Sequence, residues 1–333
     1  MEFKEDYDRI NGFRNIEGIS KEICEEYKLG QYITFRVFEI GYEDFNYLLE
    51  TSTGKYVVKI LNTERDEISI KRLIKILSTV IENNINTPKL YKVGNEYVYK
   101  SKVDNSNLSY IVMEYIGKNL YSLNRQVTLL ELKEIAKIAS GINQINFEIY
   151  ETFYDEWTVS NLEAEYLKKK NSIEEIDKIQ VERIVGMLKK VNLDCLRKCY
   201  IHGDIIKANL LLNENDKLFL IDFSAFNYLP RIIELAVIIL GECMTDDRST
   251  TILRMNYFLN EYDNCFKLDK EEINVCHTIC NALAAMFIIQ SSYIKNNLQG
   301  DYKENEYWLE TGRRWIEMNI TEKDIQINRE ELM

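Results

Sequence analysis

The change in local pattern near Tyr115 constrains the fold more than any other feature of the sequence. Before it, short runs rich in Tyr, Phe, Val and Ile alternate with turn-forming residues, which is typical of an antiparallel sheet. Strands are predicted at 32–40, 45–51, 55–61, 89–93, 97–101 and 108–115. Two helices, 17–29 and 64–83, are predicted beside them. Residues 1–116 are therefore expected to form a small lobe built on a sheet.

After Tyr115 the apolar residues recur at helical spacing over most of the chain. Helices are predicted at 128–148, 160–170, 173–191, 230–243, 248–262, 269–296 and 303–318. The exception is 200–224, which reads as a polar loop followed by a hairpin. We therefore predict an α+β fold, with a sheet-based lobe at 1–116 and a larger, mainly helical lobe at 117–333.

Composition limits the class of protein. Of 333 residues, 46% are hydrophobic, which is enough for a substantial core. The net charge of −12 argues against a nucleic-acid partner. No apolar signal core opens the chain and no stretch reaches transmembrane length, so a cytoplasmic protein without a membrane partner is expected. The seven cysteines favour buried free thiols over zinc ligands, because the chain has only two histidines.

The segment His202–Asn209 carries the clearest chemical pattern. Asp204 and Asn209 are five residues apart, and Asp222 follows an apolar run thirteen residues later. Phosphoryl transfer needs a carboxylate that orients the acceptor hydroxyl and takes its proton, which suits Asp204. It also needs oxygen ligands for magnesium, which Asn209 and Asp222 can provide. The alternative is an aspartate that only bonds its own turn, but the joint spacing of the three residues favours function.

Three segments together resemble a known family. HGDIIKAN, LFLIDF and Pro230–Ala236 are similar to motifs of the aminoglycoside phosphotransferase and choline kinase superfamily, which has a protein-kinase-like fold in two lobes. The similarity covers roughly residues 30–245. It implies that Asp204 is catalytic, that Asn209 and Asp222 bind Mg²⁺, and that the phosphate donor is ATP or GTP. It also implies that the lobe at 1–116 binds the nucleotide and the lobe at 117–333 is catalytic and binds the acceptor.

The resemblance assigns further nucleotide-binding residues to the first lobe. Lys59, in the third predicted strand, matches the lysine that holds the α- and β-phosphates. Glu67 on the next helix is expected to pair with it, with Glu64 as a rival. In the hinge-like segment 111–116, adenine would bond backbone groups near Glu114 and Ile116. Three further residues are expected to bind the nucleotide: Met113 beside adenine, and Gly41 and Asn46 in the turn over the phosphates.

Several positions depart from the family pattern. The phosphate-covering turn has a single glycine, which is weak evidence, and Glu43 and Asp44 add negative charge there. Glu234 replaces the usual aspartate. It could still support the catalytic loop, but it would do so through a side chain that is longer than that of aspartate. Lys207 either contacts the γ-phosphate or points to solvent, and the sequence does not distinguish these.

Three functions remain open at this level. A small-molecule kinase is favoured, because only seven residues separate Asp222 from Pro230 and this leaves little room for a peptide-docking segment of a protein kinase. A degenerate, non-catalytic binding protein is the third candidate. A hydroxyl-bearing small molecule is the expected partner, while its identity, ATP versus GTP and the oligomeric state stay open. Acceptor-binding candidates are Asp155, Glu156, Trp157, Glu242, Asp246, Asp247, Tyr307, Trp308 and Trp315.

Overall fold

The computed structural model describes residues 7–38, 44–103, 106–147, 153–297 and 302–329. The chain separates into two compact units. Unit 1 comprises 1–118 and 212–221, and unit 2 comprises 119–211 and 222–333. Residues 212–221 thus belong to unit 1, although the sequence predicted them to be part of the second lobe. The predicted division into a nucleotide-binding lobe at 1–116 and a catalytic lobe at 117–333 stays a prediction.

Unit 1 is built on a five-stranded antiparallel sheet. Its strands are β1 (Tyr32–Val37), β2 (Phe45–Thr51), β3 (Gly54–Ile60), β4 (Val98–Val103) and β5 (Ser106–Glu114). Their order across the sheet is β1–β2–β3–β5–β4, and all neighbours are antiparallel. β2 and β3 form a hairpin with Thr51 opposite Gly54. The predicted antiparallel sheet is therefore confirmed.

Two helices belong to unit 1: α1 (Ile16–Glu26) and α2 (Glu67–Glu82). Asn15 caps α1 by accepting from the Gly18 N–H, and Asp66 caps α2 by accepting from the Ser69 N–H. Ile19 and Ile23 of α1 are fully buried in the same apolar cluster as the inward-facing residues of β2, β3 and β5. This burial holds α1 against the sheet.

The predicted strand at 89–93 is wrong. The structure has only isolated bridges there, Leu90 with Met113 and Val93 with Glu96. β4 already pairs with β5 from Ser106 to Ile111, which leaves only the end of β5 for the preceding segment. The strand-like composition of 89–93 was therefore not sufficient to form a strand, because β4 already occupies most of the edge of β5.

Unit 2 is mainly helical, as predicted. Its helices are α3 (Leu129–Asn143), α4 (Leu162–Lys169), α5 (Glu175–Leu188), α6 (Ile232–Ile238), α7 (Arg248–Cys265), α8 (Lys270–Asn297) and α9 (Tyr302–Glu317). The predicted helix at 230–243 is divided, because α6 continues as a π-helical turn at Ile239–Cys243. Such turns occur frequently at functional sites.

Helix α8 is long and apolar enough to cross a membrane by length and composition alone. However, 72% of its apolar window is buried inside the protein. It contacts α5, α6 and α9, so its apolar faces are covered by other helices rather than exposed. It is the central core helix of unit 2.

The remaining strands are short. β6 (Lys118–Asn119), β8 (Leu210–Leu212) and β9 (Leu218–Leu220) form a three-stranded sheet in the order β6–β8–β9. β7 (Lys198–Ile201) pairs antiparallel with β10 (Asn227–Pro230), a strand that the sequence did not predict. These strands bound the polar loop at 202–209. With a sheet-based first part and a helical second part, the predicted α+β fold class is confirmed.

All seven cysteines are free thiols. Five are buried, as expected, but Cys195 and Cys265 are exposed. Among the described residues, no group of three or more His, Cys, Asp or Glu side chains is arranged to hold a metal ion.

Candidate active site

The polar loop begins directly after β7, and a glycine is required there. Gly203 has φ +84°, a left-handed conformation that side chains rarely adopt. A Cβ at this position would lie 2.9 Å from the carbonyl oxygen of Ala225. The neighbouring His202 is fully buried and packs edge-to-face on Phe223. Its Nδ1 accepts the Asp204 N–H at 3.2 Å. The loop is thereby fixed on both sides of Asp204.

Asp204 and Asn209 lie in direct contact. The Asn209 Nδ2 donates to the Asp204 Oδ2 at 2.7 Å and to the Asp204 carbonyl at 3.0 Å. Because its amide nitrogen is used in this way, the Oδ1 of Asn209 is the atom that can bind a cation. Asn209 is buried, at 9% exposed. The five-residue spacing read from the sequence thus closes a short loop.

Asp222 follows β9 and has an unusual backbone. Its φ is +65°, which is rare for a residue with a side chain and typical of functional sites. Its Oδ1 accepts the Ser224 N–H at 3.3 Å. Burial first, and then the charge of Asp222, raise the pKa of Asp204 to about 7, although the Asn209 hydrogen bond opposes this. The two carboxylates are therefore close enough to interact.

This donor set fits magnesium. Two carboxylates and an amide oxygen are hard oxygen ligands, and the mutual repulsion of Asp204 and Asp222 favours a cation nearby. Magnesium is commonly held by one or two carboxylates, with waters and substrate phosphates completing its shell. A set this small therefore suits a metal that arrives with a nucleotide.

A network of buried polar side chains holds the start of the loop at 202–209. The carboxylate of Glu234 accepts the N–H groups of His202 at 2.8 Å and Gly203 at 3.0 Å. Asn143 donates to the same carboxylate at 3.4 Å, and Tyr262 donates to Asn143 at 2.7 Å. Burial raises the pKa of Glu234 to about 7 against the effect of these donors. The long side chain thus reaches the loop, as its position in the sequence suggested.

The roles of Asn143 and Tyr262 were not predicted from the sequence. Both are buried residues with polar side-chain groups, on the helices α3 and α7. A polar residue at an apolar position of a helix was the available signal, since buried polar groups are usually hydrogen-bonded.

In unit 1, Lys59 forms an ion pair with Asp44 rather than with Glu67. The Lys59 Nζ lies 3.3 Å from the Asp44 Oδ2. Arg65 donates to both oxygens of Asp44, at 2.8 and 3.0 Å, and the Asn62 N–H donates at 2.9 Å. Burial acts to raise the pKa of Asp44, but Lys59 and then Arg65 outweigh it, so the pKa lies below its usual value. Asp44 is 2% exposed.

The predicted pairing of Glu67 with Lys59 is therefore wrong. Asp66 caps α2, so Glu67 lies in the first helical turn, where it is exposed and pairs with Lys100 at 3.2 Å. Glu64 is exposed, and its N–H donates to the Asn62 side chain. Asp44, which looked unfavourable in the sequence, supplies the carboxylate instead.

The other predicted nucleotide residues also lie in unit 1. Asn46 is directly opposite Lys59 in the β2–β3 pair, and its amide donates to the Asp44 carbonyl at 3.1 Å. Met113 and Glu114 end β5, and Ile116 is buried just beyond. The Glu114 N–H donates to the Lys89 carbonyl at 2.9 Å, and the adenine contacts near Glu114 and Ile116 stay a prediction. Gly41 lies outside the described residues.

Comparison with known proteins places the chain in a family. The family model of the phosphotransferase enzymes matches residues 34–262. This range includes Lys59 and the whole loop from His202 to Asp222. The chain belongs to the phosphotransferase enzyme family. No curated protein sequence matches it significantly.

Solved structures of this phosphotransferase fold are similar over nearly the whole chain. The spectinomycin phosphotransferase APH(9)-Ia, in its AMP-bound complex, is 14% identical with a TM-score of 0.64, covering 91% of this chain and 99% of that one. The amicoumacin kinase hAmiN is 13% identical with a TM-score of 0.63, covering 98% of each chain. Choline kinase LicA from Streptococcus pneumoniae is 16% identical with a TM-score of 0.57, covering 91% and 99%. At these identities the likeness establishes the fold.

The acceptor candidates of this phosphotransferase fall into two groups. Glu242, Asp246 and Tyr307 line one cavity in unit 2, together with Lys207. The others make contacts that build the fold. Asp155 accepts the Trp157 N–H, and Glu156 forms an ion pair with Lys169. The rings of Trp157 and Trp308 both pack on Phe287. Asp247 caps α7, and Trp315 is buried and donates to Asn281.

Proposed function

We propose that this phosphotransferase moves the γ-phosphoryl group of ATP or GTP to a hydroxyl group of a small molecule. The observation that carries the proposal is the hydrogen-bonded pair of Asp204 and Asn209, with the carboxylate of Asp222 close enough to raise the pKa of Asp204. The acceptor oxygen attacks the γ-phosphorus, the bond to the leaving nucleoside diphosphate breaks, and the Asp204 carboxylate takes the hydroxyl proton.

The residues divide the work. Asp204 orients the hydroxyl and accepts its proton. Asn209 Oδ1 and Asp222 would hold magnesium, which neutralises charge on the transferred phosphoryl group. Lys59, fixed by Asp44, would bind the α- and β-phosphates. The Glu234 carboxylate accepts the N–H groups of His202 and Gly203, which holds the loop in position for the reaction.

A small acceptor is favoured over a protein. In the structure, β10 begins at Asn227, five residues after Asp222, and pairs with β7. Asp222 is therefore followed by paired sheet, and no segment remains there for docking a peptide. We keep a degenerate binding protein as the second candidate, motivated by the single glycine in the segment 39–46 that the sequence predicts to cover the phosphates.

A nucleotide and acceptor screen tests the proposal. The protein is incubated with Mg²⁺, ATP or GTP and a panel of hydroxyl compounds, beginning with those named for its structural neighbours: spectinomycin, amicoumacin, choline, ethanolamine and aminopropanol. We expect phosphorylated product with at least one acceptor. Nucleotide that raises the melting temperature without turnover on any acceptor would support the binding protein, and no nucleotide binding would refute both.

A further inference from the structure

A cavity of about 160 Å³ lies within unit 2 beside the polar loop. Lys207, which stands between Asp204 and Asn209 in the sequence, lines one side of it. The π-helical turn after α6 lines another side through Gly241 and Glu242, and α9 contributes Tyr307 and Arg314. A molecule in this cavity would therefore be next to the loop that carries the catalytic aspartate.

Glu242 is the unusual group in the lining. It is 4% exposed, and its Oε1 accepts the Lys207 N–H at 2.6 Å. Its Oε2 is buried without a hydrogen-bond partner among the described residues. Leaving a buried carboxylate oxygen unpaired is unfavourable, so such an atom indicates a missing partner.

The two arginines near Glu242 do not fill this role. Arg254 donates to the carbonyls of Val127, Glu242 and Cys243, so its N–H groups bond backbone rather than the carboxylate. Arg314 bonds Asp246 and the Thr245 carbonyl.

The surroundings shift the titration of Glu242. Burial raises the pKa of Glu242 to about 8, and the charge of Glu131 acts in the same direction. The charge of Lys207, its N–H and the charge of Arg254 act to lower this pKa but do not outweigh burial. Tyr307, from α9, faces Glu242 as well. Without a ligand, the side chain therefore holds its proton at neutral pH.

We propose that this cavity binds an ammonium group of the acceptor that carries N–H donors, with Glu242 Oε2 accepting the hydrogen bond. The inference rests on the proposed function, since it assigns the cavity to the acceptor. It narrows the substrate class from any hydroxyl compound to one with a primary or secondary amine.

The chemistry of the lining separates such an amine from a quaternary ammonium. A quaternary ammonium has no N–H, so it cannot donate a hydrogen bond to a lone carboxylate oxygen and interacts with it through charge alone. Proteins recognise it mainly through several aromatic faces. Among the described residues lining this cavity, Tyr307 is the one aromatic side chain. The unpaired oxygen and the aromatic-poor lining therefore both favour an N–H donor.

The same carboxylate would connect acceptor binding to the catalytic loop. Oε1 holds the backbone of Lys207, while Oε2 would hold the ligand. An incoming ammonium stabilises the ionised carboxylate, which is also the stronger acceptor for the Lys207 N–H. Acceptor binding would thus strengthen the hydrogen bond that holds this loop.

Binding of two small cations tests the proposal without requiring turnover. Saturation-transfer NMR follows the methyl protons of methylammonium and tetramethylammonium titrated into the full chain. We expect wild-type protein to bind methylammonium with a dissociation constant on the order of 10 mM, as for a very small ligand. Glu242→Gln keeps an oxygen that can accept the Lys207 N–H but loses the charge, and should weaken methylammonium binding at least about tenfold. Tetramethylammonium should bind neither protein.

Two further measurements separate a specific contact from general charge. Wild-type affinity for methylammonium should fall as the pH drops from 8 to 6, because Glu242 takes up its proton, whereas Glu242→Gln should show no such change. Glu310→Gln removes one exposed charge from α9 away from the cavity and should bind like wild type. A nucleotide-induced rise in melting temperature confirms that each variant is folded.

The outcomes decide the proposal separately from the function. Equal methylammonium affinity in wild type and Glu242→Gln would overturn it, and so would tetramethylammonium binding as tightly as methylammonium. No methylammonium binding to wild type at 200 mM would also overturn it. Intact nucleotide binding and phosphoryl transfer in any of these cases would leave the phosphotransferase function standing.

Discussion

Two carboxylate clusters of this phosphotransferase contain similar groups in opposite electrostatic states. Asp44 of unit 1 is contacted by Lys59 and Arg65, and its pKa is held below the usual value. Asp204 of unit 2 is bonded to a neutral amide and interacts with the carboxylate of Asp222, so its pKa is raised to about 7. One cluster compensates its own charge and the other has a surplus of negative charge.

This difference is the one we expect between a residue that positions its neighbours and the proposed catalytic residue. A carboxylate with two cationic partners is held in its ionised form and fixes those partners in place. Two neighbouring carboxylates without cationic partners attract a cation. Their repulsion also raises the pKa of one of them towards neutral pH, where it can accept a proton. We expect substitutions in the two clusters to have different signatures, in rate for Asp204 and in stability and nucleotide affinity for Asp44.

The largest effect is expected for Asp204→Asn. Removing the base should lower kcat by about 10²–10⁴-fold while nucleotide affinity stays within a few-fold. Steady-state kinetics and nucleotide titration measure the two quantities. Asp216→Asn, in the turn between β8 and β9, is the control and should leave both unchanged. Equal loss of rate and nucleotide affinity would contradict the assigned role.

A smaller effect is expected for Asp44→Asn. The variant removes the ion pairs that Asp44 forms with Lys59 and Arg65, so the free energy of unfolding should fall by about 2 kcal/mol. Since Lys59 is no longer fixed, KM for the nucleotide should rise more than kcat falls. Denaturant unfolding and kinetics provide the measurements. A fall in kcat with unchanged KM would remove the distinction between the clusters.

The stability difference at Asp44 should also depend on pH. The folded-state pKa is lowered, so the ionised form contributes stability above the unfolded pKa of about 4. That contribution is lost as the pH falls through the folded-state pKa. Wild type and Asp44→Asn should therefore differ at pH 7 and converge in acid, and a difference that persists in acid would show that the ion pairs are not its source.

The smallest effect is expected for Glu67→Gln. The pair with Lys100 is exposed on both sides, so its loss should change the free energy of unfolding by less than about 1 kcal/mol. Nucleotide KM should stay within about twofold. A larger change in KM, comparable to that of Asp44→Asn, would restore Glu67 as the partner of Lys59.

Much of the fold was readable because local pattern and burial agree. The β2–β3 hairpin and helices such as α3 have strong periodicity and clear turn or capping residues, including a capping box at Thr128. The strand at 89–93 failed because competition for one sheet edge is not encoded locally. β10 was missed because its four residues, ending in proline, pair with β7 as a distant partner.

The candidate site was predicted unevenly for the same reason. Asp204 and Asn209 lie close in sequence, so their spacing alone pointed to their contact. The partner of Lys59, Asp44, directly precedes β2 across the hairpin, whereas a partner of Glu234, Asn143, comes from a distant helix. Buried polar contacts of this kind depend on which chains meet in the core, and no spacing rule gives that information.

By itself the sequence determined the fold class, the family and the identity of the loop residues, because these follow from periodicity and from short, fixed spacings. Only the tertiary structure decided the electrostatic state of each carboxylate. It gave Asp44 two cationic neighbours, placed Asp204 near enough to Asp222 to interact, and left the Oε2 of Glu242 buried without a hydrogen-bond partner in the described part of the chain. The physical reason is that the energy of a charge depends on its burial and on neighbours brought together by folding, and neither is a property of the local sequence.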